Sequence, residues 1–335
     1  MTTLISAVSD IRPDPILSAN IYMAGRLDEV IRTLVPQVRS LTAELGGGYL
    51  WFLRYHRCGE HLKLRIHAPI ENANDIRLAV GETLRQYVGH TIARAAVNAL
   101  TGSSQKPIDE EDDATRDYPD HSFIWTKYRR SVITFGSPQF VHDDECTRTF
   151  TKALAASGQI ATDTILTTGA SSFAMRAKIL QTLIMQALQT TKIKDVHEYA
   201  SYHRDWLIRF IHRLSKAAVS ETELVTHLDK CYVLRGQHTQ TQAAEPLLTD
   251  DRRSDAGVWC DAVSLWAVQR ARVISECSPI GDGYTNDPLF PQLFKLLQNV
   301  ANQLGFRLLE EALVLHGLCR ASTKNVKERA DYASA

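Results

Sequence analysis

Charge of one predominant sign is missing from this sequence. Its 335 residues include 38 Lys and Arg and 38 Asp and Glu, and the isoelectric point is about 7.2. Proteins that bind duplex nucleic acid or anionic membranes usually carry a basic surface, so this balance argues against both partners. The N-terminus has no basic segment followed by an apolar one, and no run of about 18 apolar residues occurs. We therefore expect a cytoplasmic protein that neither binds nor spans a membrane.

Paired cysteines and nucleotide-binding glycine motifs are also missing. The six cysteines lie far apart without a C-x-x-C pair, and the 12 histidines show no zinc-binding spacing. Neither a disulfide framework nor a structural metal is indicated. The chain contains no G-x-G-x-x-G motif and no P-loop. We expect reduced thiols, no metal and no cofactor.

The first part of the chain predicts strands alternating with helices. Residues 20–24 and 123–135 are rich in β-branched and aromatic side chains, which is typical of strands. Residues 27–45 repeat apolar side chains at helical spacing and end at three glycines. The segment YLWFLRYHRCGEHLKLRIHAP, residues 49–69, predicts two strands joined by a short turn that contains Gly59, which makes a hairpin.

From about residue 140 the spacing of apolar residues predicts helices. Their expected bounds are 143–157, 171–190, 196–216, 222–234, 254–276 and 288–320, and Gly305 divides the last segment into two helices. We predict an α+β fold with a mostly antiparallel sheet in the N-terminal part and a large helical C-terminal part. A single domain is expected over residues 1–335, sheet-rich at 18–137 and helical at 138–322. The polar, acidic segment 102–121 is expected to be a loop.

Basic residues alternate with apolar ones on the second strand of the predicted hairpin. His61, Lys63, Arg65 and His67 share one face, because successive side chains of a strand point to opposite sides. Lys127 and Arg129 are spaced in the same way on the predicted strand 123–135. One interpretation is an ordinary solvated face. The other is a local site for a carboxylate, a carbonyl oxygen or an acidic peptide.

Three further side chains have chemistry suited to a reaction site. Ser278 and Tyr284 lie on a predicted loop between helices, and His316 follows in an apolar helix. A tyrosine phenol and a histidine imidazole both transfer protons. A tyrosine that anchors a loop and a histidine buried in the core are the simpler interpretations.

The hairpin segment resembles a known family. YLWFLRYHRCGEHLKLRIHAP is similar to the W-F-x-R-Y and H-L-R-L-R motifs that open the C-terminal elimination domain of lantibiotic dehydratases. KYRRSVITFGSPQF resembles that family's Y-x-x-E-x-x-R-Y-G-G strand, and LVLHGLCR resembles its histidine-bearing helix. The likeness covers most of residues 20–320. It implies an elimination-domain-like fold and a peptide substrate.

Departures from the family motifs affect the chemistry that the resemblance implies. The elimination domains use arginines and a histidine to expel glutamate from a glutamylated serine or threonine. Here Lys63 and Thr134 replace two of the arginines, whereas Arg65 and His316 are retained. Lysine cannot provide the bidentate hydrogen bonds by which a guanidinium group binds a carboxylate. The substitutions therefore argue against glutamate elimination.

A branch of the same fold that lacks those arginines, the pyridine synthases of thiopeptide biosynthesis, resembles this chain more closely. TKYRRSVITFG and the segment from FPQLFKLLQNV to LHGLCRA are similar to that branch, as is the spacing of Ser278 and Tyr284. The resemblance implies a cofactor-free enzyme that makes a peptide macrocycle by a formal [4+2] aza-cycloaddition. It suggests Tyr284 as the acid, Ser278 as the group that positions an amide oxygen, and His316 as a proton shuttle.

The partner implied by the resemblance is a precursor peptide with a leader and a dehydrated, azole-containing core. The basic side chains that would hold this substrate are Lys63, Arg65, Lys127, Arg129 and Arg54. A homodimer is compatible with the resemblance. Two alternatives remain: glutamate elimination in a split lantibiotic dehydratase, and a non-catalytic scaffold that binds the leader peptide.

Overall fold

Strands in the N-terminal part pair into one sheet. The computed structural model describes residues 16–56, 59–91, 108–109, 120–127, 144–168, 173–233, 257–268 and 289–333. The strands are β1 (Ile16–Tyr22), β2 (Leu50–Tyr55), β3 (His61–His67), β4 (Ile108–Asp109) and β5 (Ser122–Lys127). Two helices interrupt them, α1 (Leu27–Glu44) after β1 and α2 (Ala73–Thr91) after β3.

The sheet has the strand order β2-β3-β1-β5-β4. Strands β2 and β3 are antiparallel, with Leu50 opposite Ile66 and Tyr55 opposite His61, so the predicted hairpin is confirmed. Strand β1 lies between β3 and β5 and is antiparallel to both. The two-residue β4 lies in the segment expected to be a loop and pairs parallel to the end of β5. So short an edge strand can form through backbone hydrogen bonds alone, without the apolar side-chain pattern by which strands are predicted from sequence.

The two faces of β3 differ in polarity, and the polar face is buried at two of its four residues. Leu62, Leu64 and Ile66 are at most 1% exposed and belong to the main core. On the other face, His61 and Arg65 are each 3% exposed. The solvated-face interpretation is therefore wrong for these two basic residues, whereas Lys63 and His67 on the same face are partly exposed.

Polar side chains of neighbouring strands continue this buried face. Ser18 lies opposite Arg65 in the pairing of β1 with β3, and opposite Thr126 in the pairing of β1 with β5. The hydroxyl groups of Ser18 and Thr126 are hydrogen-bonded to each other, and both residues are buried. The sheet thus presents one apolar and one polar face, and the polar face is buried at Ser18, His61, Arg65 and Thr126.

Helices make up the rest of the described chain. They are α3 (Asp144–Thr168), α4 (Phe173–Thr190), α5 (Val196–Leu214), α6 (Glu221–Cys231), α7 (257–268), α8 (Phe290–Gln303) and α9 (Leu308–Ala333). Their order confirms the predicted helical part. Helix α3 runs 11 residues beyond the expected end at 157, because buried Ile160 and Ile165 continue its apolar face. Among the described helices, none is both long and apolar enough to cross a membrane.

The outer edge of β2 is closed by a helix. The amide oxygen of Asn302 in α8 accepts a hydrogen bond from the backbone N–H of Arg54 at 2.7 Å. Its amide nitrogen donates to the backbone carbonyl of Arg54 at 2.8 Å. Helices α3 and α8 both pack against β2, so this edge joins the sheet to the helical part.

Candidate functional site

Some of the predicted site residues lie within the segments that the structure describes, and others lie outside them. Tyr284, Ser278 and Arg129 lie outside the described residues. Lys127 ends β5, where its backbone lies opposite Leu17, and the description does not extend to its side chain. The other predicted site residues, His316, Lys63, Arg65 and Arg54, are described with their side chains.

His316 forms a dyad with a carboxylate from another helix. Its imidazole Nε2 lies 3.1 Å from Oδ1 of Asp229 in α6. Arg320, one turn further along α9, donates to the same oxygen. The ring of Tyr232 meets His316 edge to face, with 5.7 Å between ring centroids. The side chain of His316 is only 4% exposed, so these neighbours hold it in one orientation.

Burial and nearby arginines determine the protonation states of His316 and Asp229. Burial lowers the pKa of His316 and outweighs the opposing effect of Asp229, and Arg204 and Arg320 lower the pKa further. The hydrogen bond from Arg320 lowers the pKa of Asp229, so its carboxylate is ionised at neutral pH. A neutral His316 must then donate its Nε2–H to Asp229. In the described part of the chain its buried Nδ1 has no hydrogen-bond partner, which leaves a lone pair able to accept a proton.

Arg54, one of the predicted substrate-binding residues, is engaged in a buried ionic cluster. Its guanidinium Nη1 lies 2.7 Å from Asp28, and Nη2 of Arg176 lies 2.6 Å from the other oxygen of the same carboxylate. Burial would raise the pKa of Asp28, but the two arginines outweigh it and lower the pKa. Arg54 also donates to the carbonyl of Gln303, and Arg176 to the carbonyl of Leu304.

The turn that receives these arginines requires a glycine. Gly305, between α8 and α9, has φ +85°, in the left-handed region. A Cβ atom at this position would lie 2.6 Å from Nη1 of Arg176 and 3.1 Å from Cζ of Arg54. The predicted division of the last helical segment at Gly305 is confirmed.

Lys63 and Arg65 lie together on the polar face of β3, while His316 lies on α9. The ammonium group of Lys63 is 4.2 Å from the centroid of the Tyr55 ring, a cation–π contact. Arg65 lies opposite Ser18 on one side and Trp51 on the other. The structure therefore groups the basic strand residues with each other but places them on a different element from the histidine.

A cavity of about 1080 Å³ opens beside the end of β2. Its walls come from the end of β2, from α5 and α8, and from the turn into α9. Large apolar side chains dominate them: Trp206, Phe210, Ile211, Phe306 and Leu309. This volume is near the upper end for ligand sites in proteins. The cavity is therefore a second candidate for peptide binding.

A lysine with a perturbed pKa lies in this cavity. The ammonium group of Lys295 is 4.9 Å from the centroid of the Trp206 ring and 5.0 Å from that of Phe294. Burial lowers its pKa to about 8, so it is still mostly charged at neutral pH.

A buried carboxyl group also lines the cavity. Glu311 and His203 are both almost inaccessible, and Oε1 of Glu311 lies 2.9 Å from Nε2 of His203. This distance suggests an ion pair, but burial raises the pKa of Glu311 and lowers that of His203 to about 3. Burial therefore opposes the ionisation of both groups. Neither of the two atoms has an aligned hydrogen bond within the described segments.

Sequence analysis did not identify Asp229, Lys295 or Glu311. Each lies in a helix that carries other polar residues, and no motif or spacing distinguishes it from a surface residue. Only the folded chain brings Asp229 to His316 and Lys295 to Trp206. Among the described residues, no group of three His, Cys, Asp or Glu side chains is arranged to hold a metal ion.

Comparison with protein families gives a match over most of the chain. The model of the family described as lantibiotic biosynthesis dehydratase C-term matches residues 17–322. A search of curated proteins gave no match.

Solved structures with a similar fold include a pyridine synthase and a lantibiotic dehydratase. The pyridine synthase TbtD from thiomuracin biosynthesis is 14% identical, with a TM-score of 0.55 over 93% of this chain and 98% of TbtD. The tRNA-dependent lantibiotic dehydratase MibB from Microbispora sp. 107891 is 14% identical, with a TM-score of 0.56 over 98% of this chain and 29% of MibB. TsrL is 10% identical, with a TM-score of 0.53 over 93% of this chain and 95% of TsrL. The predicted elimination-domain-like α+β fold is confirmed.

Proposed function

This chain belongs to the lantibiotic dehydratase C-terminal family, and from this premise we propose that it is a pyridine synthase. The proposed reaction joins two dehydroalanines of a ribosomal peptide by a formal [4+2] aza-cycloaddition. The product is a macrocycle closed by a pyridine ring. The similarity to TbtD over 98% of its length supports this proposal.

The observation that carries the proposal is the side chain at position 63. Elimination domains have an arginine here in the resembling motif, which suits the carboxylate of glutamate. In this chain Lys63 is a point charge whose ammonium group contacts the ring of Tyr55. A lysine held against an aromatic ring cannot make the paired hydrogen bonds that a guanidinium group offers a carboxylate. The position is better suited to single carbonyl oxygens of a peptide backbone.

Cycloaddition places modest demands on acid and base groups. One dehydroalanine reacts as an aza-diene formed by tautomerisation of its amide, and the second supplies the dienophile. Two new carbon–carbon bonds close the six-membered ring. Aromatisation then expels the former amide oxygen as water and the leader peptide as a carboxamide. The largest contribution of the enzyme is to hold two distant alkenes in a reactive arrangement.

Three residues are proposed for the proton transfers. Tyr284 donates a proton for amide tautomerisation or for the departing hydroxyl group, and Ser278 positions the amide oxygen. His316 accepts a proton at Nδ1 during the aromatising eliminations. The described dyad supports this last role, because Asp229 fixes the tautomer that leaves Nδ1 unprotonated. Lys63, Arg65, Lys127 and Arg129 are proposed to contact carbonyl oxygens of the substrate.

Mass spectrometry of a dehydrated, azole-containing precursor peptide incubated with the protein tests the proposal. We expect release of the leader as an amide, together with a core lighter by one water. The Tyr284→Phe variant is expected to lose this product while still binding the peptide, because phenylalanine keeps the ring and removes the proton donor. Production at the wild-type rate by the variant would remove Tyr284 from the mechanism.

The same experiment separates the two alternative functions. An unchanged peptide mass, with peptide binding retained, would indicate a non-catalytic scaffold. Release of free glutamate from a glutamylated peptide would indicate an elimination enzyme. The retention of Arg65 and His316 and the shared fold of MibB make elimination the alternative to test first.

A further inference from the structure

The cavity beside β2 and the His316 dyad lie on different sides of α9. Glu311 lines the cavity, whereas His316 contacts Asp229 and Tyr232. Five residues along an α-helix correspond to about 7.5 Å of rise and about 140° of rotation. His316 is not part of the cavity lining. The cavity is therefore distinct from the His316–Asp229 dyad.

Apolar side chains at the mouth of the cavity favour a ligand with bulky apolar groups. Trp206 and Phe210 are stacked with 5.1 Å between ring centroids, and Leu214 at the rim is 61% exposed. Burial of this leucine and of the aromatic wall by an apolar group of a ligand would stabilise the complex.

The charge of the lining favours an acidic ligand. Arg213, Lys295 and Arg307 contribute positive charge to the lining. Within the described residues, neither Arg213 nor Arg307 forms an ion pair with a carboxylate. The guanidinium of Arg54 also lines the cavity but is compensated by Asp28. Among the described lining residues the only carboxyl group is that of Glu311, which is buried against His203. The net field at the mouth is therefore positive.

We propose that this cavity binds an acidic segment of the leader of the precursor peptide, with at least one large apolar side chain packed against Trp206 and Phe210. This inference rests on the proposed function. The leader is favoured over the reacting core because conversion of serine and cysteine to dehydroalanine and azole leaves a core with little charge. A bound leader also raises the local concentration of the tethered core at the reaction site.

Binding of the two halves of the precursor tests this assignment. The leader half and the core half, each labelled with fluorescein, are titrated with the full protein and followed by fluorescence anisotropy. We expect the leader half to bind and the Arg213→Glu/Arg307→Glu variant to weaken it at least about tenfold, because two attractive charges become repulsive. Lys194→Glu, an exposed charge reversal outside the cavity, is the matched control and should leave the affinity unchanged.

Both positions of the double variant are exposed, so thermal unfolding should show an intact fold. Trp206→Ala is a second variant, expected to weaken leader binding without altering its dependence on salt. Equal affinity of wild-type and double-variant protein for the leader half would overturn the inference, as would binding of only the core half. Leader binding that depends on the cavity, without conversion of the precursor, would support the inference and reject the cycloaddition.

Discussion

At the scale of single residues, the pairing of Asp229 with His316 determines what the histidine can do. The two residues are 87 positions apart in the sequence, and Arg320 holds the shared carboxylate oxygen from the other side. The resemblance to the family motif identified His316 as a candidate site residue. No sequence motif identified Asp229, because only the packing of α6 against α9 brings its carboxylate to the His316 ring.

We expect Asp229→Asn to lower kcat of the cyclisation roughly tenfold to a hundredfold with little change in KM. The variant loses the charge that fixes the His316 tautomer. General acid–base catalysis in total typically raises a reaction rate about 10²–10⁴-fold. Since Asp229 raises the pKa of His316, its removal lowers that pKa further. The acidic limb of the kcat–pH profile should therefore move to lower pH.

Nitrogen NMR of the His316 imidazole provides a second measurement for this variant that is independent of turnover. The wild-type ring should carry its proton on Nε2, and the variant should show a mixture of tautomers. Glu221→Gln, an exposed carboxylate replaced on the same helix, serves as the control. An unchanged tautomer and an unchanged pH profile would leave Asp229 with a structural role only.

At the scale of elements, the turn between α8 and α9 joins the helical part to the sheet. Gly305 was predictable as a break because glycine ends helices. The close approach of two guanidinium groups to its Cα was not, because Arg54 and Arg176 come from β2 and α4. The last carbonyls of α8 accept these cations, an arrangement that the helix dipole favours.

We expect Gly305→Ala to reduce the free energy of unfolding by about 1–3 kcal/mol. The cost has two parts: a positive φ that alanine disfavours and a Cβ that displaces Arg176. Urea denaturation followed by circular dichroism measures the change. Gly89→Ala in α2 is the control, since its Cβ would meet nothing within 4 Å, and it should be neutral or slightly stabilising.

At the scale of the whole molecule, the Asp28 cluster connects parts that are far apart in sequence. Its members come from α1, β2 and α4, and they bind the turn after α8. Buried apolar residues from the sheet and the helices also form one core cluster. We therefore expect residues 1–335 to unfold as a single domain, in one cooperative transition by both tryptophan fluorescence and circular dichroism.

Asp28→Asn should destabilise the protein by about 2–4 kcal/mol at pH 7, because two buried guanidinium groups lose their counter-ion. The folded-state pKa of Asp28 is lowered, so its carboxylate stabilises the fold above the unfolded-state pKa of about 4. This contribution is lost as the pH falls through the folded pKa. The difference between variant and wild type should therefore shrink at pH 3 or below. A difference that does not depend on pH would contradict the assignment.

Local patterns were sufficient to predict much of the architecture. The β2–β3 hairpin, α1 and the division at Gly305 follow from alternation, periodicity and a helix-ending glycine, all of which are local in sequence. The burial of Arg65 and the cavity around Lys295 were not predictable. Both depend on which elements pack together, and that information is spread over separate segments of the chain.

The amide of Asn302 has a consequence for how peptides meet this protein. It occupies both backbone hydrogen-bonding groups of Arg54 on the outer edge of β2. An extended chain cannot add to the sheet there as a further strand, whether it comes from a substrate or from a second copy of the protein. A peptide that reaches the edge at Arg54 must therefore be held by contacts other than strand addition, and a second copy of the protein cannot extend the sheet at this residue.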